Sequence, residues 1–318
     1  MLLRKIYETV VAKGIEKDPR GKEMVKKTLE KRVKSYENMK EDEKEFFDTE
    51  SLANPYADTR ILNGTGDEDI KTALVGIDME MAEILLADRL SSKGQKIDLV
   101  ISHHPEGKAY ANFYEVMHMQ ADILNKFGVP INVAESLLEN RIKEVERRLS
   151  PVNHTRAVDI AKLLNVLFLC VHTPADNMVA TYLQQVFDEK KPDTLEDITK
   201  ILKEIPEYRE AAKNNAGPKI LLGSKDRRAG KIFVDMTGGT EGAKDIFENL
   251  VNSGVNTIVV MHLSEDHRKE AEKHHMNAVL AGHISSDNLG MNLMFDEIQK
   301  TDSLEVLPCS GYRRFIRD

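Results

Sequence analysis

The chain has 318 residues, 41% hydrophobic and 31% charged, with a formal net charge of −8 and two cysteines. That length predicts two packed lobes rather than one core, and the composition excludes disorder over the whole chain. The acidic balance excludes general nucleic-acid binding and the cysteine count excludes a disulfide framework. No apolar run reaches the length of a spanning helix or a signal peptide, so the expectation is a cytoplasmic protein without a membrane partner.

Residues 1 to about 50 are dense in Lys and Glu, and Val25, Leu29, Val33 and Tyr36 stand at helical spacing. Two helices broken near Asp18-Pro19-Arg20-Gly21 are predicted, as an amphipathic cover on the core or an oligomer contact. From about residue 60 strand and helix patterns alternate, the signature of a parallel or mixed sheet. Asn63 to Asp67 is a turn, Ala73 to Asp78 a strand, and a helix around Met79 to Leu90 leads to a second strand over Ile97 to Ser102. Residues 106 to 165 carry helical patterns, with a strand predicted at Val129 to Val133 and a charged stretch from Glu135 to Arg148. Leu164 to Val171 is an apolar strand stopped by His172-Thr173-Pro174, where Thr173 is the expected helix N-cap and Asp176 falls in the first turn.

Lys190-Lys191-Pro192-Asp193 marks a boundary between lobes. A second strand-helix passage then runs from Ile232 to Asp235, through the turn Thr237-Gly238-Gly239-Thr240, into a helix carrying Ala243, Ile246, Phe247, Leu250 and Val251 that Ser253-Gly254 ends. The expected fold is α/β, with two lobes of mixed sheets flanked by helices and an N-terminal helical extension. The boundaries expected are 1–55 for the extension, 56–190 with 284–318 for the first lobe, and 191–283 for the second.

Six apolar runs end on a histidine or an aspartate: Asp78, His104, His172, Asp235, His262 and His283. In open α/β sheets ligands gather beyond the carboxyl ends of strands, so these residues are candidates for one site. His103-His104 closes a strand, where neighbouring side chains point to opposite sides and can serve two ions or one ion and a substrate. His172 and Asp176 are four apart, and His283 and Asp287 repeat the spacing, which on a helical turn puts both groups on one face. Taken singly each has a plain structural reading, the aspartates as first-turn carboxylates and Cys170 as a small buried residue rather than a nucleophile. Together, imidazoles mixed with carboxylates suit Zn, Fe, Mn, Co or Ni, and a bridging carboxylate permits two ions about 3.5 to 4 Å apart.

Ser102-His103-His104-Pro105, His172-Thr173-Pro174-Ala175-Asp176 and Gly282-His283-Ile284-Ser285-Ser286-Asp287, in that order, resemble the NGG-interacting-factor-three family, often described as type 2 homologues of GTP cyclohydrolase I. The resemblance runs from about residue 60 to 300 and implies two divalent ions between two α/β lobes in a toroidal homo-oligomer, commonly a hexamer. It implies His103, His104, Asp176, His283 and Asp287 as ligands, with His172 a ligand or a neighbour of the metals. The chain departs from the family at Asp287, where Glu is usual, at residues 135 to 160, which look inserted, and at Met261-His262-Leu263-Ser264-Glu265, where Thr-Gly-Glu is usual. His262 is thereby a candidate extra ligand or acid/base.

The function these readings imply is metal-assisted hydrolysis of a nucleotide or phosphorylated small molecule, with His172 or His262 moving a proton. The Thr237 to Thr240 turn and Lys108 are candidate contacts for a phosphate. The alternative is a metal-binding or trafficking protein, or an oligomeric interaction protein, without turnover.

Overall fold

The computed structural model describes residues 1–317. Their strands in chain order are β1 (Arg60–Asn63), β2 (Thr72–Gly76), β3 (Leu99–Ser102), β4 (Leu167–Cys170), β5 (Lys219–Leu222), β6 (Lys231–Asp235), β7 (Val255–Val260), β8 (Asn277–Leu280) and β9 (Glu305–Pro308). They form two mixed sheets flanked by helices, ordered β1-β4-β3-β2-β9 and β5-β8-β7-β6. In each sheet one strand is antiparallel at an edge, β1 against β4 and β5 against β8, and the rest run parallel.

The four-stranded sheet repeats the order and strand directions of the first four strands of the other, and its antiparallel pair repeats the register. Arg60, Ile61 and Asn63 face Cys170, Leu169 and Phe168. Lys219, Ile220 and Leu222 face Leu280, Val279 and Ala278, with the same single-residue slip.

Both sheets are covered on both faces, which is why their parallel strands read as continuous apolar runs rather than alternating ones. Ala73, Val75, Ile101 and Leu169 pack on one side of the first sheet with Ala175, Met178, Met291 and Phe295. Leu74, Val100 and Phe168 pack on the other side with Ile84, Val158 and Ala161. In the second sheet Val234, Val259 and Val279 face Val179, Leu183 and Leu289, while Phe233, Ile258 and Val260 face Leu124, Leu138 and Phe247. The helices Thr173–Lys190 and His283–Gln299 therefore lie between the sheets, each contributing to both cores. They cross closely at Gly290, where an added Cβ would stand 2.4 Å from the Ala175 carbonyl oxygen.

The extension forms the helices Leu3–Glu16 and Lys22–Glu37, parted where the sequence places the break. Its first helix buries Leu3, Ile6 and Val10 against the first sheet, whereas Val25 is the one residue of the second helix's stripe that is buried. The segment leading into β1 is locked in place. Arg60, 1% exposed, donates to the carbonyls of Tyr56 and Thr59 and to Asp48, and the Tyr56 hydroxyl donates to buried Asp18 at 2.9 Å.

Three local expectations change. Val129 to Val133 is not a strand: Pro130 precedes the helix Ile131–Leu149, whose Ala134, Leu138, Ile142, Val145 and Leu149 form the buried stripe. A short apolar run is ambiguous between strand and helix start, and the helical stripe decides here. The expected cap moves by one residue, from Thr173 to His172, because the Thr173 hydroxyl is donated to Asp58 instead. After the Gly238-Gly239 turn, the expected long helix is a short turn Lys244–Ile246 followed by the helix Phe247–Asn252. No helix among the described residues is long and apolar enough to cross a membrane.

Candidate metal centre

Past the end of β3, the His103 and His104 amides donate to the carbonyls of Gly76 (3.0 Å) and Ile77 (2.9 Å), extending the pairing with the β2 segment. The rings of these adjacent residues diverge, with centroids 5.4 Å apart. His103 is buried, and its Nδ1 lies 2.9 Å from the Val171 carbonyl oxygen. His104 turns the other way, with Nδ1 2.6 Å from Asp78. Carbonyl and carboxylate oxygens only accept, so in both rings Nδ1 carries a proton and Nε2 is the nitrogen turned toward the site.

Both Nε2 atoms face Asp287. His103 Nε2 is 3.5 Å from Asp287 Oδ1 and 3.4 Å from Asp176 Oδ1. His104 Nε2 and His283 Nε2 are 3.4 and 3.5 Å from Asp287 Oδ2. The two aspartates reach this point because the inner helices start beside each other, placing Asp176 and Asp287 near their N-terminal ends, where the helix dipole favours negative charge. His172, at the end of β4, stands with His103 and Asp176, and the His103 and His172 rings are 4.9 Å apart. The five residues expected as ligands thus converge, with His172 alongside.

The donor set fits a divalent cation. His103 Nε2, Asp176 Oδ1 and both Asp287 oxygens are buried and have no hydrogen-bond partner, an arrangement that costs free energy unless something else satisfies them. Separations of 3.4 to 3.5 Å are too long for good hydrogen bonds. They match the roughly 3.4 Å between two donors that share a tetrahedral ion at about 2.1 Å. His103, His172 and Asp176, and His103, His104 and Asp287, are groups able to hold an ion.

Charge is concentrated accordingly. Burial alone would disfavour a proton on His103, but Asp287 and Asp176 outweigh it and raise its pKa well above the ordinary value. Burial would raise Asp287, yet the surrounding imidazoles of His103, His104 and His283 hold its carboxyl far below the usual range. Burial lowers His283.

The cluster opens on a cleft lined by His172, Asp176, His283 and Asp287 together with Glu241, Met261 and His262. His262 stands apart from the ligand groups: its ring is 5.0 Å from that of His283, its Nδ1 is 3.4 Å from Glu241, and its side chain is half exposed. Glu241 also accepts the Ser264 amide, and with His262 beside it its carboxyl falls to about 2 despite partial burial. Gln120 donates to the Gly238 and Thr240 carbonyls, and the next helical turn starts at Lys244, so the glycine turn does not stand at a helix N-terminus. Lys108 is paired with Glu50 of the extension at 2.8 Å. Cys170 is buried with its thiol pushed up by burial, as a packing residue would be.

Sequence reasoning missed Asp58 and Glu241. Neither sits at the end of an apolar run, and both act from loops that only the fold brings to the histidines. Asp78 was visible as a strand end, though its bond to His104 was not.

No family model matches the chain, and no curated protein matches it. Among solved structures the chain is similar to a NIF3 superfamily protein from Sphaerobacter thermophilus, with a TM-score of 0.71 and 28% identity over 80% of this chain and 91% of that one. It is also similar to reduced HcgD from Methanocaldococcus jannaschii, with a TM-score of 0.49 and 15% identity over 83% and 93% of the two chains. A Bacillus cereus protein related to NIF3 gives a TM-score of 0.42 and 10% identity over 79% and 89%. NIF3 abbreviates NGG-interacting factor three.

Proposed function

Because this chain is a NIF3-like protein, we propose that it binds two divalent metal ions and hydrolyses a nucleotide or another phosphorylated small molecule at the end of the cleft. The single observation that carries the reading is the position of Asp287: its two oxygens face different histidines, Oδ1 toward His103 and Oδ2 toward His104 and His283. On this reading His103, Asp176 and Asp287 would hold one ion and His104, His283 and Asp287 the other, with Asp287 standing where the family has Glu. When bound, such a pair of ions polarises substrate oxygens and activates water at neutral pH.

The chain's own residues supply the rest. Asp78 fixes the tautomer of His104, and Val171 that of His103. His172, buried beside the ligand cluster, and His262, half exposed, both line the cleft, where either could move a proton to or from a substrate. A homo-oligomer, commonly hexameric in the family, and a cytoplasmic location belong to the same proposal, as does the division into an extension and two lobes at 55, 190 and 283. Hydrolysis is favoured over a purely structural metal because three of the proposed ligands, Asp176, His283 and Asp287, line a cleft, whereas structural sites are closed.

The test is to load the protein with Mn, Fe, Co or Zn and screen nucleotides and phosphoesters, with His104→Ala as control. Turnover that depends on metal and is lost in the variant supports the reading. Equal rates for parent and variant with every metal and substrate would overturn it, and rapid transfer of the ions to an acceptor would favour a carrier.

A further inference from the structure

We infer that Asp58, in the segment that joins the N-terminal extension to β1, is the positioning residue for His172. The inference rests on the reading that His172 belongs to the functional cleft, and it adds a part of the chain that no sequence motif connects with the site.

Asp58 is completely buried. Its Oδ2 takes the Thr173 hydroxyl at 2.6 Å and lies 2.8 Å from His172 Nδ1. Next to it, the Thr59 hydroxyl accepts the His172 backbone amide at 3.1 Å, so two consecutive residues of the same segment hold both the backbone and the ring of His172. An ionised carboxylate accepts only, so His172 carries its proton on Nδ1, and its Nε2 is left bare on a residue that lines the cleft. The arrangement repeats that of Asp78 behind His104 at 2.6 Å. A carboxylate behind an imidazole sets both the tautomer and the direction of the ring, and one of these two carboxylates comes from the extension's side of the chain.

The segment that carries Asp58 is held by groups with no part in the cleft. Arg60 clamps the carbonyls of Tyr56 and Thr59, the Asn54 amide donates to the Thr59 carbonyl at 2.9 Å, and Asn54 accepts the Tyr56 amide at 2.9 Å. Asp58 is thereby held rigidly, as a residue that aims another must be.

The experiment is nitrogen NMR of metal-free protein selectively labelled in histidine, which reads each ring's tautomer without requiring activity or metal. In the parent protein the His172 Nδ1 should be protonated and its Nε2 bare. Asp58→Ala should move the proton to Nε2, and Asp58→Asn, whose amide oxygen can still accept, should restore it to Nδ1. Thr173→Val should leave the tautomer as in the parent. A parent protein with its His172 proton on Nε2, or an Asp58→Ala variant that keeps it on Nδ1, would overturn the inference. If Asp58→Ala fails to fold, the parent and Asp58→Asn spectra decide alone, since a proton on Nε2 in either contradicts it. Failure of the hydrolase reading would leave these spectra unchanged, so the two can fail separately.

Discussion

The two sheets share the order and directions of four strands and the register of the antiparallel pair, yet their carboxyl ends do different work. Two residues past Ser102, the first sheet places His104; two past its register equivalent Val260, the second places His262. Asp78 backs the first at 2.6 Å, and Glu241 stands behind the second at 3.4 Å. His104 reaches Asp287 at 3.4 Å, whereas His262 is outside both ligand groups and half exposed on the cleft wall. A repeated scaffold thus carries an unrepeated site: the first sheet's end gathers the candidate ligands, and the corresponding end of the second lines the cleft beside them. Fold and chemistry separate here, because topology is fixed by packed strands while ligand character depends on a few polar contacts.

The largest expected effect tests the residue shared by the two proposed ions. Asp287→Ala should remove both ions together, read by elemental analysis of purified protein, because each proposed ligand set includes one Asp287 oxygen. Loss of only one ion would break the sharing.

Next comes the contrast between equivalent histidines. His104→Ala should lower metal affinity by well over tenfold, while His262→Ala should leave metal content at the parent level, as measured by competition with a chelator. Equal losses would mean that the two sheet ends are functionally alike after all.

A smaller effect concerns pH in the metal-free protein. His103 has a folded pKa raised well above 6.5, so its contribution to stability is complete below 6.5 and is lost as pH rises through the folded value. Asp287, depressed below 3.8, contributes above that value and loses its contribution only when pH falls through the folded one. The metal-free protein should therefore show a falling Tm as pH is raised past 6.5, while the metal-loaded protein, whose ions replace that proton, should not. A flat Tm for the metal-free form would contradict the burial of His103 among carboxylates.

The strand runs and their polar endings were legible because parallel strands buried on both faces leave continuous apolar stretches that stop sharply at the site. Such endings, with spacing on a helical turn, single out His103, His104, His172, Asp176, His283 and Asp287, and the family resemblance picks five ligands among them. Val129 to Val133 misled because Pro130 opens a helix inside an apolar run too short to show a period. Asp58 and Glu241 were illegible for another reason. Each approaches its histidine through tertiary contacts, from residues 114 and 21 positions away respectively, and no local pattern records such a meeting.

The central claim is that Asp287 lies between two ions, and anomalous diffraction from crystals loaded with zinc or manganese tests it most directly. The account requires two peaks per chain, one among His103, Asp176 and Asp287 Oδ1, the other among His104, His283 and Asp287 Oδ2. A single peak, or peaks away from Asp287, would contradict it.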